Sequence, residues 1–525
     1  MGYHLARFRR FPADRSSWLR TGRDGDDTRD RGRGIAAEIS TRFQERSATY
    51  RQRLAALGRA APPTGDYTMT ARQGFHAPYL LTMNTMNEII ADGTVIVGED
   101  GRIADIGPRS DIEARWPDVP IRSLPDTLIM PGLVNTHAHS GLLRGTAEGL
   151  PVWEWLQQFI DPMHRVLRPH EAEVAARICY AEALLSGTTT IVDMWRYMEG
   201  SALAARDLGI RAVLVPYVAE HPAHNYFETL DTNEELIRNW HQGAGGRIHV
   251  WIGLEHMFYA TPEAWTRAIA IAKAAGTGFH THSNESRFDV EETLKRYGTR
   301  PVEALERFGL LDAPRTLLAH CVWLSDAEIA ILARRGIGVA HNPVSNMKLA
   351  SGAARVMDMR AAGIAVGLGT DGEKENNNLD MFDEMKTASL LAKFSALDAA
   401  ALDAWSICRM ATIEGARALG MSNDIGSIEI GKQADLIAVR TSTPRMTPLL
   451  GGSMGNLHHN LVHAVQGGDV VMTMVQGRVV VENGLLVNGI LSDLIAEANA
   501  AVPPLFARRA QWLADNDTTA SLGLV

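Results

Sequence analysis

The sequence predicts an α/β protein, a TIM-like (β/α)8 barrel carrying a small β-sandwich built from both ends of the chain. Three observations predict it. β-type segments near both ends bracket everything else. Between them, apolar strand-like runs alternate with helical stretches, the signature of parallel β/α units. The polar residues suited to chemistry fall at the C-terminal ends of those runs, where such barrels place their active sites.

The elements follow in order. Residues 1–66 are rich in Arg, contain no Lys and show no hydrophobic periodicity. They are expected to be a disordered or dispensable extension, with Met69 near the start of the folded part. They lack the apolar core of a secretion signal. Residues 67–130 supply the first part of the sandwich: strands at 79–83 and 93–98, then a turn at 99–102 leading into 103–107.

Residues 131–425 are the expected barrel. Its strands are 133–134, 189–192, 211–215, 247–253, 278–282, 315–320, 338–341 and 365–371, eight in all. An amphipathic helix is expected over 169–185, closed by Gly187. Another starts at the cap Thr261 with Pro262 in its first turn and runs to Gly276. Ser325 and Glu328 form a capping box for a third. Residues 426–490 return to β-structure, with strands at 436–439, 470–475 and 478–482, the last two joined at Gln476-Gly477. Residues 491–525 are a C-terminal helical tail.

Bulk properties limit the partners. The chain has 525 residues, 46% of them hydrophobic, ample for one large and one smaller domain. A net charge of -9 gives no support to nucleic-acid binding. No apolar stretch approaches the roughly 20 residues needed to span a bilayer. Cys179, Cys321 and Cys408 are far apart and form no C-x-x-C, which fits a reducing, cytoplasmic setting without disulfides.

Four of the expected strand ends carry metal-type or acid/base residues. His137 and His139 end the first strand, His282 the fifth, His320 the sixth and Asp371 the eighth. A lone His-x-His triplet carries no weight, since one is expected by chance about once in a chain like this. With the later residues it suggests imidazoles plus a carboxylate around a divalent ion, zinc by preference, with a water in the open position. Such an ion lowers the pKa of water toward ~7.

In these residues the sequence resembles the amidohydrolase superfamily, in its branch of hydrolytic deaminases and triazine hydrolases. That branch includes methylthioadenosine/S-adenosylhomocysteine deaminase and atrazine chlorohydrolase. The resemblance covers about residues 75 to 490. It rests on Pro131-Gly-Leu-Val-Asn-Thr-His-Ala-His139, His282-x-x-Glu285, Ala319-His320-Cys321, the run from His341 to Asn346, Gly369-Thr-Asp371-Gly372, and the run from Gly426 to Leu436.

The resemblance implies roles. His137, His139, His282 and Asp371 would bind the metal. Glu285 would protonate a ring nitrogen and then the leaving group. His320 would orient the attacking water, and Asp371 would accept its proton as an sp² ring carbon is attacked. His280 also faces inward by alternation, but only His282 has the x-x-Glu spacing, so His280 reads as a layer residue inside the barrel. His341 reads as a pocket-wall or outer-layer group. Two-metal members of the superfamily commonly bridge their ions with a carbamylated lysine on the fourth strand. Here the first lysine is Lys273, beyond that strand, so one ion is expected, Zn2+ first and Fe2+ second. Glu255 reads as salt-bridged or pocket-lining.

For the substrate, Glu154 and His256 align with family residues that contact ribose and heterocycle. Trp153 suits a flat ring, and Asn346 belongs to the same pocket. The 253–259 loop lacks the two prolines usual in nucleoside deaminases, and the 371–376 loop is unusually charged. The leading reading is an aminohydrolase that attacks a ring carbon of an N-heterocyclic amine with hydroxide generated at a metal. Its rival expels chloride from an s-triazine-like ring. A third reading, a catalytically inactive scaffold of the same fold, is disfavoured because every ligand position is filled. The resemblance also implies a homo-oligomer.

Overall fold

The computed structural model describes residues 71–516 apart from residue 225. The Arg-rich extension 1–66, the boundary at Met69 and residues 517–525 lie outside the described residues. The chain opens with β1 (Gln73–Leu81), β2 (Ile89–Val97), β3 (Ile103–Pro108), β4 (Ile121–Ser123) and β5 (Thr127–Pro131). Gly132 then separates β5 from β6 (Leu133–Ala138). A Cβ on Gly132 would lie 2.1 Å from the Thr189 side chain, so only glycine fits where the chain passes from one sheet to the next.

Parallel strands follow: β7 (Thr188–Trp195), β8 (Arg211–Pro216), β9 (Ile248–Val250), β10 (Ile252–Gly253), β11 (Gly278–Ser283), β12 (Arg315–His320), β13 (Gly338–His341) and β14 (Val366–Leu368). They form two sheets, β6-β7-β8-β9 and β10-β11-β12-β13-β14. The expected fourth strand is interrupted at Trp251. Its first half pairs with β8 and its second with β11, so one chain segment serves both sheets. At the other edges, Thr136 Oγ1 donates to Leu368 O at 2.8 Å and Asp371 N donates to His137 O at 2.9 Å.

Helices lie between these strands, and their ends follow local chemistry. Pro262–Ala275 is capped by Thr261, whose hydroxyl accepts from Ala264 N, and stops at Gly276 in the left-handed conformation. Asp326–Arg335 begins on the Ser325–Glu328 capping box. Pro169–Leu185 differs from the amphipathic expectation. Much of it is buried, because the C-terminal helix Leu491–Asn516 packs on it, and Arg508 pairs with Glu171 at 2.7 Å.

The chain ends return as β15 (Leu436–Arg440), β16 (Val470–Val475), β17 (Arg478–Glu482) and β18 (Leu485–Leu486). β15 pairs antiparallel with β5, which joins both ends of the chain into one nine-stranded sheet. That sheet encloses its own apolar cluster, including Phe75, Val95, Ile129, Leu436 and Met474.

One ion pair ties this sheet to the parallel strands. Arg211, at the start of β8, donates from Nε at 2.9 Å and from its terminal nitrogen at 3.1 Å to the two carboxyl oxygens of Asp435. Both side chains are buried. Arg211→Ala leaves the Asp435 carboxylate buried without its counter-ion. It should lower the unfolding free energy by about 3–5 kcal/mol in denaturant titrations. An unchanged midpoint would show that the pair contributes nothing to holding the two parts together.

Candidate metal centre and its cavity

Five side chains converge where the parallel strands end. His137 is the penultimate residue of β6, and His139 follows that strand. His282 is the penultimate residue of β11, and His320 is the last of β12. Asp371 lies beyond β14, which ends earlier than expected, at Leu368. The chain leaves the ladder through Gly369, where a Cβ would lie 2.5 Å from Asn342 Oδ1 and 2.9 Å from the His137 backbone. His320 (φ 69°) and Asp371 (φ 60°) both adopt left-handed backbone conformations. Such conformations cost non-glycine residues about 1–3 kcal/mol and cluster at functional sites.

The partners of each imidazole fix its tautomer. His139 Nδ1 donates to Met194 O at 2.6 Å, and His282 Nδ1 donates to Glu255 O at 2.5 Å. His280 Nδ1 donates to Leu317 O at 2.9 Å, so its Nε2 can only accept. It accepts from His137 Nδ1 at 2.8 Å. In all three of His137, His139 and His282, Nε2 is therefore a bare lone pair. His139 Nε2 and His282 Nε2 face each other at 3.2 Å. His137 Nε2 is buried without a hydrogen-bond partner. Asp371 Oδ1 stands 3.4 Å from His137 Nε2 and 3.3 Å from His139 Nε2.

Such a ring of electron pairs is repulsive unless a cation lies among them. Burial favours the neutral imidazole at His137, His139, His280 and His282, pushing each pKa below its usual value. Neutral imidazole is the form that ligates metals. The ligating atoms of His137, His139 and His282 lie within 4.8 Å of one another, as do those of His137, His320 and Asp371. The donor set suits zinc or a similar divalent ion.

Acid/base groups flank this cluster. Glu285 is 8% exposed. Burial, with the Asp289 and Asp371 charges, pushes its pKa well above the carboxylate range and favours the protonated acid. Its hydrogen-bond contact is a long one of 3.4 Å from Ser351 Oγ. His320 Nδ1 donates to Asn346 Oδ1 at 2.9 Å, which turns Nε2 toward Glu285 Oε2 and Asp371 Oδ2, 3.8 Å from each. Asp371 Oδ2 accepts from Ser345 Oγ at 2.6 Å.

A cavity opens onto the cluster. Trp153 and His256 line it, as do Tyr217 and Glu255. Trp153 is held by a 2.7 Å hydrogen bond from Nε1 to Asp289. Glu154 is exposed and does not line the cavity. Asn346 does not line it either and stands behind His320. His341 is buried away from the cavity lining.

Two contributors escaped the sequence reading. His280 sets the tautomer of His137 rather than merely filling a layer. Asp193 accepts from Ser140 N at 2.9 Å, Ser140 Oγ at 2.8 Å and Tyr180 Oη at 2.7 Å, which pins the turn after His139. A carboxylate inside the apolar run 188–195 was the available signal. His280→Leu should weaken metal binding about 10–100-fold, the usual effect of losing a partner behind a ligating histidine. Competition with a chromogenic chelator measures this, and unchanged affinity would remove the relay.

Residues 128–480 match the model of the amidohydrolase family. The chain is 39% identical over 399 residues to the 5-methylthioadenosine/S-adenosylhomocysteine deaminase of Moorella thermoacetica, covering 75% of this chain and 91% of that protein. It is 38% identical over 433 residues to the 5'-deoxyadenosine deaminase of Methanosarcina acetivorans, covering 82% and 97%. A crystal structure of an adenosine deaminase from Xanthomonas campestris with bound zinc superposes with a TM-score of 0.78 at 31% identity, covering 83% of this chain and 99% of that one.

Proposed function

The chain belongs to the amidohydrolase family, metal-dependent hydrolases of carbon–nitrogen bonds, and from that premise we propose that it releases ammonia from an N-heterocyclic amine. The observation that carries this reading is the juxtaposition of two opposite demands. A cluster of bare Nε2 atoms with Asp371 calls for a cation, and beside it the buried carboxyl of Glu285 favours its proton. Hydrolytic deamination needs both, one group to take a proton and one to give it. The relatives' names point to adenosine derivatives, whose ring amine is the group such chemistry removes.

In this reading His137, His139, His282 and Asp371 hold one divalent ion, Zn2+ by preference and Fe2+ as second choice. When bound, the ion supplies Lewis acidity that brings the pKa of water toward ~7. Asp371 takes the proton of the attacking water. Glu285 protonates the ring nitrogen, which makes the neighbouring carbon electrophilic, regains a proton from the hydroxyl now on that carbon and delivers it to the departing amine, after which the proton held by Asp371 restores the Glu285 acid. His320, held by Asn346, orients the water through Nε2. Trp153 and His256 contact the ring. Glu154, exposed beside Trp153, is left to the outer part of a long substrate.

The fold that carries these roles is, in our reading, a closed (β/α)8 barrel with a small β-sandwich. The shared segment 248–253 and the hydrogen bonds between β6 and the end of β14 support closure. The apolar cluster inside the terminal sheet supports the sandwich. We also read the chain as a cytoplasmic homo-oligomer acting on a small molecule, and three unpaired cysteines fit a reducing compartment.

Two measurements test the reading. Elemental analysis should find about one divalent ion per chain, and two tightly held ions would sink the mononuclear site. A panel of aminopurines, pterins, pyrimidines and triazines should include a ring that yields ammonia. Chloride release from a triazine with no ammonia from any amine would overturn deamination.

A further inference from the structure

The cavity wall holds a carboxyl group that the reaction does not use. Glu255 is 4% exposed and follows β10. Tyr217 Oη donates to its Oε1 at 3.1 Å. Its Oε2 has no hydrogen-bond partner among the described residues. Glu375 repeats the pattern on the same cavity. It is 5% exposed, its Oε1 lies 3.1 Å from Lys374 Nζ, and its Oε2 is unpartnered. Among the described residues, no Lys or Arg side chain lines the cavity. A buried acceptor left without a donor is unfavourable and rare. Two of them on residues that line one cavity call for donors on whatever fills it.

The depth of Glu255 says which part of a ligand it meets. Its own carbonyl holds His282 Nδ1, and the Tyr217 ring stands edge-on to His139 with centroids 5.8 Å apart. The carboxyl is thus level with the proposed ligands, where the reacting ring sits, rather than at the outer end.

Resting on the aminohydrolase reading, we propose that Glu255 is a specificity-determining residue whose free carboxyl oxygen accepts an N–H carried by the substrate's heterocycle, on the ring or on a second amino group. The substrate then carries an N–H donor in addition to the amine that leaves, as 2-amino and lactam heterocycles do. The base of adenosine has none, because its only amine is the leaving group.

Adenosine and 2,6-diaminopurine riboside differ only in a 2-amino group, so they are the probes. The metal-loaded protein is titrated with each by calorimetry, and ammonia release is followed in parallel. The diamino compound should bind about 2–10-fold tighter, as one hydrogen bond to an uncharged acceptor provides. Glu255→Leu should bring that ratio to about one, and Glu255→Gln, which keeps shape and polarity, should lower it partway. If the leucine variant does not fold, the glutamine ratio decides. A wild-type ratio near one, or a ratio unchanged in the variants, overturns the proposal. So does a Glu255 effect confined to adenosine relative to 2',3'-dideoxyadenosine, because Glu255 would then read sugar hydroxyls. Binding preference without ammonia from any ring would leave this assignment standing and sink the deaminase reading. Ammonia without the preference would do the reverse.

Discussion

Glu285→Gln should retain its metal and lose about 10²–10⁴-fold of turnover, the range typical of positioned general acids. The amide keeps the size of the acid and can still accept from Ser351 Oγ, but it has no proton to give. Glu285 lies three residues past His282 and outside the ligand-type clusters, so the change spares the ion. It also replaces a buried acid that already favours its uncharged form with an uncharged amide of similar size, so the fold should not suffer. Elemental analysis and ammonia release from the same preparation check both halves. Turnover within about tenfold of wild type would remove Glu285 as the proton donor.

His282→Ala should fail differently, losing ion and activity together. The variant deletes one of two lone pairs that face each other at 3.2 Å and leaves the Glu255 carbonyl without its donor. Water without the ion returns toward its ordinary pKa, some eight or nine orders of magnitude less acidic, so the rate should fall further than in Glu285→Gln. Melting the variant beside metal-stripped wild type separates metal loss from misfolding, since both lack the ion and should unfold alike. Full metal content in His282→Ala would overturn its role as a ligand.

The parts legible in the sequence were those that follow local rules. Pro262 after Thr261, Gly276 in the left-handed turn and the Ser325–Glu328 box each mark a helix end within a few residues. The alternation of strand and helix, and the placing of histidines at strand ends, is likewise a property of short segments. What stayed hidden depends on contacts between segments. Whether His280 is filler or part of a relay depends on Leu317 O, a neighbour set by strand register. That Glu255 is half-satisfied depends on Tyr217, 38 residues away in sequence. Glu154 and Trp153 are adjacent on the short helix Val152–Trp155, yet one is exposed and the other lines the cavity, because successive helix positions point about 100° apart.

The pairing of β5 with β15 bears on how the molecule is made. Leu128 meets Val439, partners about 300 residues apart in the chain, and contacts so distant slow folding because a long loop must close first. β5 runs through Gly132 directly into the strand that carries His137. During synthesis at about 5–20 residues per second, His137 therefore emerges many seconds before the strand that will clamp its sheet. Until then β5 can pair with β1 alone and leaves its other edge open, the kind of edge that aggregates. The last quarter of the chain contributes none of the ligand-cluster residues, yet it completes the sheet to which the first ligand strand is joined.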